Sequence, residues 1–220
     1  MSIEVNSDTR MPGIAIVASA LLGAFAMGHH PSPRGGADFI AFARNVERIA
    51  SINQIVHGVL LALVAVITWG LVVFALRRGV GRSLVTLGLV AWAIGVTAMT
   101  AAGIFNGFVV VDVARRALAA PENSEMLSAS LQTIYSAVRV AEVLGAVGMS
   151  AAMFFWSADL ARSSGAVRPV GGLGLAAGAV LVTALLTGVA RLDVAGMMLV
   201  GAVWCAWLVG VGTLMILRRV

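Results

Sequence analysis

Apolar residues in this chain are gathered into six long runs, and most polar residues lie between the runs. A helix needs about 20 apolar residues to cross roughly 30 Å of hydrocarbon, whereas a β-barrel strand would show about ten residues of alternating polarity. The pattern therefore predicts six transmembrane helices in a single domain, 1–220. Their predicted bounds are about 12–28, 53–76, 83–111, 131–156, 170–190 and 194–217.

The composition supports an all-α, polytopic membrane protein. Of the 220 residues, 60% are hydrophobic and only 11% are charged. A soluble domain of this composition would lack the polar surface that keeps a protein in solution. The formal net charge of +5 comes from arginines that flank the spans, so it indicates orientation in a bilayer and not nucleic acid binding. The lipid bilayer is thus the first predicted partner.

The arginines also predict which way the spans run. Eight of them fall on one side of the predicted spans: Arg10, Arg77, Arg78, Arg82, Arg162, Arg168, Arg218 and Arg219. Six fall on the other side: Arg34, Arg44, Arg48, Arg115, Arg116 and Arg191. The group of eight lies in short loops beside span ends, where the positive-inside rule applies best. We therefore expect both termini in the cytoplasm.

Two long connections on the predicted outer side carry helical patterns. In the first, 29–52, four apolar residues recur at helical spacing: Phe39, Phe42, Val46 and Ile49. This spacing predicts an additional amphipathic helix that lies at the interface before the chain bends into the second span. The second connection, 112–130, predicts a helix end, a turn led by Pro121 and the start of the fourth helix. We expect the two connections to cap the outer half of the bundle.

The fourth predicted span contains a stripe of polar residues. Its members lie at i, i+3, i+7 and i+10 and so share one helical face: Gln132, Tyr135, Arg139 and Glu142. A charged residue at the centre of a span costs roughly 2.5–3.5 kcal/mol, so it usually faces the bundle interior or a wet cavity. Arg139 and Glu142 are close enough to pair directly. The stripe is interpreted either as a staple between helices or as the lining of a ligand site or proton path.

The second and third predicted spans add polar residues in the same outer half. Asn53 and His57 are four residues apart in the second span, and Asn106 lies near the outer end of the third. Polar side chains gathered in an apolar surround are the usual form of a small-molecule site. We therefore expect Arg139 and Glu142 to face inward and to meet His57 or Asn106.

Three histidines leave a metal or haem site as an alternative. His29 and His30 follow the first span, and neutral imidazole suits both copper and haem. Adjacent residues point in different directions, so at most one of these two would join His57. Nothing in the spacing requires a cofactor, and none is favoured. Familiar hydrolase, phosphate-binding and zinc-protease motifs do not occur, which points away from an enzyme.

Three functions remain open from these residues. The first is binding or transport of a small or amphipathic ligand, such as a lipid, with Arg139 as its anchor. The second is an accessory subunit that contacts partner subunits of a larger membrane complex, and the third and weakest is an enzyme or a haem or copper carrier. The layout resembles six-helix proteins of the bacterial inner membrane in its hairpins, its "WSADLAR" helix end and its glycine-rich fifth span. This likeness implies a bacterial cytoplasmic membrane and no particular activity.

Overall fold

The computed structural model describes residues 8–31 and 37–220, and within these ranges the chain forms helices and turns with no strand. The α-helices are α1 (Arg10–Gly28), α2 (Phe39–Arg78), α3 (Ser83–Ile104), α4 (Val110–Ala119), α5 (Ser124–Leu160), α6 (Val167–Leu186) and α7 (Val194–Ile216). A π-helical segment, Phe105–Val109, joins α3 to α4, and a 3-10 turn, Pro121–Asn123, precedes α5. The predicted all-helical class is confirmed.

Six helical segments are long and apolar enough to cross a membrane, as the sequence predicts. Four of them are α1, α2, α6 and α7, the third in chain order is Ser83–Ala119, and the fourth is Pro121–Leu160. Large apolar side chains point outward from the bundle, including Leu173, Val180 and Leu199. Exposed apolar side chains of this size are expected where a helix faces lipid. These features indicate a multi-pass membrane protein.

The amphipathic segment of the first connection does not form a separate helix. Its residues are helical, but they are the first part of α2, which continues to Arg78 as one element. Asp38 starts this helix by accepting a hydrogen bond at Oδ1 from the Ala41 backbone N–H, at 2.7 Å. Val46 is buried and Arg44 is exposed, as the amphipathic pattern predicts. The turn-rich residues 32–36 of this connection lie outside the described residues.

Helices α2, α4 and α5 pack together at one end of the bundle. The buried residues of this end, which we call the α4 cluster, are Ala43, Val46, Ala50, Val110, Val111, Val113, Ala114, Ala117 and Leu131. Helix α2 has 40 residues and α5 has 37. At a rise of 1.5 Å per residue they are about 60 Å and 55 Å long, roughly twice the hydrocarbon thickness of a bilayer. Both helices therefore extend well beyond the spans that the sequence predicts for them.

The opposite end of the bundle is held by a buried carboxylate. Asp159, at the end of α5, is 2% exposed. Arg78 Nε donates to its Oδ2 at 2.8 Å, and an Arg82 guanidinium nitrogen lies 2.9 Å from its Oδ1. At the same end, the Thr9 hydroxyl donates to the Met215 carbonyl at 2.8 Å, which ties the start of α1 to the end of α7. We call this the arginine-rich end, because it brings together the ends of the helices that carry the first group of arginines.

Tryptophans form the centre of the core. The fully buried Trp156 of α5 lies between Trp92 of α3 and Trp207 of α7, with ring centroids 6.1 Å away in each case. The Trp156 ring N–H donates to the Val85 carbonyl at 3.1 Å. Gly88 makes room for this ring, because a Cβ at that position would lie 2.5 Å from Trp156 Nε1. The core between α3, α5 and α7 therefore depends on one large, fully packed aromatic side chain.

Candidate functional site

Polar side chains from several helices converge on an internal cavity of about 370 Å³. We call it the polar cavity, and its polar lining residues are His30, His57, Thr100, Asn106, Glu142 and Asp193. They come from the residues just after α1, from α2, from α3 and the π-helix, from α5 and from the residue that precedes α7. The cavity thus brings together three of the residues predicted for the site, His57, Asn106 and Glu142.

A second cavity of about 330 Å³ adjoins the first on the side of the tryptophan core. We call it the methionine cavity, because six methionines line it: Met27, Met99, Met149, Met153, Met197 and Met198. Met27, Met99 and Met197 line the polar cavity as well. Methionine side chains are unbranched and polarisable, so they adapt to irregular occupants. The two cavities together form a space that is polar at one end and apolar at the other.

Two histidines face each other in the polar cavity. The Nε2 atoms of His30 and His57 are 3.5 Å apart, and the rings meet edge to face with centroids 4.9 Å apart. His57 Nδ1 lies 2.9 Å from the Asn53 carbonyl oxygen. Because a carbonyl oxygen only accepts hydrogen bonds, Nδ1 carries the proton, and Nε2 of the neutral ring carries a lone pair. That lone pair points towards His30.

The two adjacent histidines after α1 have different surroundings. Burial lowers the pKa of His30, and the neighbouring His57 lowers it further, while a hydrogen bond to the Pro31 carbonyl acts in the opposite direction. Burial and the neighbouring ring thus favour the neutral form of His30. His29 is exposed, its Nδ1 lies 2.9 Å from the Phe25 carbonyl oxygen, and its ring packs against the Phe25 ring. Only His30 joins His57, in accord with the expectation that at most one of the pair would do so.

Asn53 does not line the cavity, but it contacts both the π-helix and the His57 ring. Its side-chain Nδ2 lies 3.3 Å from the Asn106 carbonyl oxygen and 3.4 Å from the Gly107 carbonyl oxygen, both in the π-helix. A π-turn displaces such carbonyls from their usual α-helical partners, and these turns are frequent at functional sites. Glycine is required at 107, because a Cβ there would lie 2.5 Å from His57 Cβ. Asn53 and Gly107 therefore fix the position of His57 against the π-helix.

The polar stripe predicted for α5 is divided between two surfaces. Glu142 lines the polar cavity, whereas Gln132, Tyr135 and Arg139 line an open groove on the outer face of α5. Arg139 is exposed, and the ion pairs within the described residues include neither it nor Glu142. Arg139 therefore does not face inward as predicted, and it forms no direct ion pair with Glu142. Residues three positions apart differ by about 60° around a helix, so the edge of the buried face passes between them.

Asp193 and the methionines are cavity residues that the sequence prediction missed. Asp193 begins α7 by accepting a hydrogen bond at Oδ1 from the Gly196 N–H at 2.8 Å, and its side chain also lines the polar cavity. In the sequence, Asp193 could have been recognised as the acidic residue in the short turn before the last apolar run. Among the described residues, no group of three or more histidine, cysteine, aspartate and glutamate side chains is placed to hold a metal ion.

Comparisons of the chain with family models, with curated proteins and with solved structures found no match. The functional conclusion therefore rests on the chemistry of the polar cavity. Its lining offers the carboxylates of Glu142 and Asp193 and the Nε2 atom of His57 as acceptors, and Thr100 and Asn106 can both donate and accept. Arginine is absent from this lining. The cavity is thus suited to an occupant that donates hydrogen bonds or carries positive charge.

Proposed function

We propose that the protein binds an amphipathic small molecule whose head donates hydrogen bonds or is cationic. The observation that carries this proposal is the pair of adjoining cavities, one with two carboxylates in its lining and one lined by methionines. Their volumes of about 370 Å³ and 330 Å³ fall in the range of small-molecule sites. The head would occupy the polar cavity and the apolar part the methionine cavity.

Glu142 is the residue that most favours a cationic head. Its carboxylate lines the polar cavity and forms no hydrogen bond or ion pair with another side chain of residues 8–31 and 37–220. The Arg139 charge acts on this half-buried carboxylate through space, without a direct ion pair. A carboxylate that is half-buried and not hydrogen-bonded is costly, and a charge-assisted hydrogen bond from a bound amine would relieve that cost. Arg139 faces the groove instead, so the proposed head-binding residue is Glu142 in its place.

The depth of the polar cavity supports access from the outer side of the membrane. His57 lies 21 residues before Arg78 in α2. That separation corresponds to about 31 Å along a helix, close to the thickness of a hydrocarbon core. With the arginine-rich end at the inner boundary, the polar cavity lies at the outer edge of the hydrocarbon. The head of an amphiphile would then sit at headgroup level, with its apolar part directed into the bundle.

This access depends on an orientation in which both termini lie in the cytoplasm of a bacterium. Reporter fusions test that orientation. Fusions after Arg82 and after Arg168 should report the cytoplasm, because these residues belong to the larger group of loop arginines. A fusion at Glu122 should report the outer side. The opposite pattern would place the polar cavity at the inner face and overturn the proposed access.

Binding of a fluorescent long-chain amine to the purified, detergent-solubilised protein tests the proposed head specificity. A dansyl-labelled long-chain amine should bind, and the matching carboxylic acid should bind more weakly. Glu142→Gln should weaken amine binding by about tenfold or more, because it removes a charge-assisted hydrogen bond. Gln132→Ala is the matched control on the same helix, because Gln132 lines the groove and not the polar cavity, and it should bind the amine like the parent protein.

Filling the cavity provides the second arm of this binding experiment. Gly103 lines the polar cavity, and a Cβ there would meet only Leu61, at 3.4 Å. Gly103→Leu should therefore abolish amine binding while the protein still folds. Gly58→Leu is the control, because a Cβ at 58 has no neighbour within 4 Å and this glycine does not line the polar cavity. Equal binding of acid and amine, or unchanged binding in both Glu142→Gln and Gly103→Leu, would contradict the proposal.

A second candidate function, an accessory subunit of a membrane complex, is favoured by the outer face of α5. The groove lined by Gln132, Tyr135 and Arg139 is open, and apolar residues such as Val140 and Leu144 continue it along α5. A partner subunit on this groove would be retained when the protein is extracted from its own membrane. Arg139→Ala should then shift the elution volume to that of the chain alone, and an unchanged elution volume would exclude this role.

A further inference from the structure

We propose that His30 and His57 bind one Cu(I) ion in the polar cavity, with a methionine thioether as the third ligand. This site shares His57 and the methionines with the proposed amphiphile site, but it does not use Glu142. Its test uses a metal ion as the probe, so the two proposals can fail independently.

The distance between the two histidines is the first support for this site. Two metal–nitrogen bonds of about 2.0 Å that meet at about 120° hold their nitrogens about 3.5 Å apart. The Nε2 atoms of His30 and His57 are 3.5 Å apart. A direct N–H···N hydrogen bond would normally be shorter than this, by analogy with the 2.7–3.2 Å range of N–H···O bonds. The separation therefore fits a shared metal ion better than a direct contact.

The orientation of His57 is the second support. Its Nδ1–H donates to the Asn53 carbonyl at 2.9 Å, so the Nε2 lone pair is directed into the cavity. Metal-binding histidines usually make this kind of bond with their other nitrogen, which fixes the tautomer and the ring orientation. Asn53 in turn contacts the carbonyls of the π-helix, so the backbone beneath His57 is also held in place.

The surrounding donors select the metal. Zinc sites in proteins use three or four histidine, cysteine or carboxylate ligands, and no such group of three is placed for this among the described residues. Soft thioether ligands select Cu(I), and Met27, Met99 and Met197 line the same cavity as the two histidines. A haem would need its porphyrin plane between the imidazoles, but the rings meet edge to face with centroids only 4.9 Å apart.

Anaerobic titration of the full-length, detergent-purified protein with Cu(I), against a chromogenic Cu(I) chelator, tests this site. The parent protein should bind one Cu(I) per chain. His30→Gln and His57→Gln should each lower the Cu(I) affinity by about tenfold or more, since each removes one of two imidazole ligands. His30 lies beyond the end of α1, so its replacement tests the site even where His57→Gln does not fold.

His29→Gln is the matched control, because the neighbouring histidine faces Phe25 and not the cavity. It should bind Cu(I) with the parent affinity. Parent affinity in His30→Gln would mean that the two rings form a hydrogen bond only, and equal losses in His29→Gln and His30→Gln would mean adventitious surface binding. Either result would overturn the proposal.

The thioether ligand and the preference for a soft ion are tested separately. X-ray absorption at the copper edge should show nitrogen neighbours at about 2.0 Å together with a sulfur neighbour at about 2.3 Å. Among Met27→Leu, Met99→Leu and Met197→Leu, one variant should lose this sulfur signal and part of the affinity. A spectrum without sulfur would remove the thioether from the site, and Zn(II) affinity equal to that for Cu(I) would overturn the assignment of a soft monovalent ion.

Discussion

Replacing Asp159 by alanine should lower the free energy of unfolding by about 3–5 kcal/mol, the usual cost of removing one partner from a buried ion pair. Asp159 is 2% exposed, and Arg78, whose side chain is 12% exposed, holds it with contacts of 2.6 Å and 2.8 Å. Without the carboxylate, the partner that remains for the Arg78 guanidinium on α5 and its following turn is the Ser163 hydroxyl. Denaturation in mixed detergent micelles measures the change.

Asp112→Ala is the matched control for this experiment. Asp112 pairs with Arg116 at 2.8 Å one turn along α4, but both side chains are more than half exposed. An exposed pair of this kind contributes about 0.3–0.5 kcal/mol. If Asp159→Ala lowered the free energy of unfolding no more than Asp112→Ala does, the arginine-rich end would not be held by its buried carboxylate.

Replacing Trp156 by alanine should also cost about 3–5 kcal/mol, the range measured for removal of a large buried aromatic side chain. The ring is fully buried, it lies parallel to Trp207, and it meets Phe74 edge to face. Its removal opens a large hole at the junction of α2, α3, α5 and α7 and leaves the Val85 carbonyl without its side-chain donor. The same denaturation measurement applies, with near-ultraviolet circular dichroism as a report on tryptophan packing.

Trp69→Ala provides the comparison for Trp156→Ala. Trp69 is on α2 and is 50% exposed, so its replacement leaves no enclosed cavity. We expect a loss of less than about 1 kcal/mol, as for substitutions away from the packed core. Similar losses in the two variants would contradict the central role of the Trp156 ring.

The six spans could be predicted because uninterrupted apolar runs have few other structural solutions. Their ends were harder to place, since an apolar run shows where lipid is required and not where a helix stops. The continuity of α2 was nonetheless visible in the sequence. No proline or glycine occurs between Ile49 and Asn53, so nothing in that stretch breaks the amphipathic segment from the span that follows.

The candidate site could be predicted only in part, because a helical face has an edge that depends on its neighbours. The spacing grouped His57, Asn106 and Glu142, and these three residues line one cavity. It could not show that the edge of the α5 interface falls between Arg139 and Glu142, since this depends on which helices pack against α5. The methionine lining was hidden for the same reason. Its members come from α1, α3, α5 and α7, and no local pattern connects them.

The π-helical segment has a consequence for the spacing of buried residues. Gly88, Gly95 and Ala102 are buried at intervals of seven residues, the next buried member of the series is Val110, eight residues on, and Ala117 follows after seven. The π-turn absorbs the additional residue, so the same side of the helix stays buried before and after it. A chain one residue shorter here would keep this side buried as one unbroken α-helix. The additional residue is therefore not needed for packing; what it provides is the pair of displaced carbonyls that meet Asn53 beside His57.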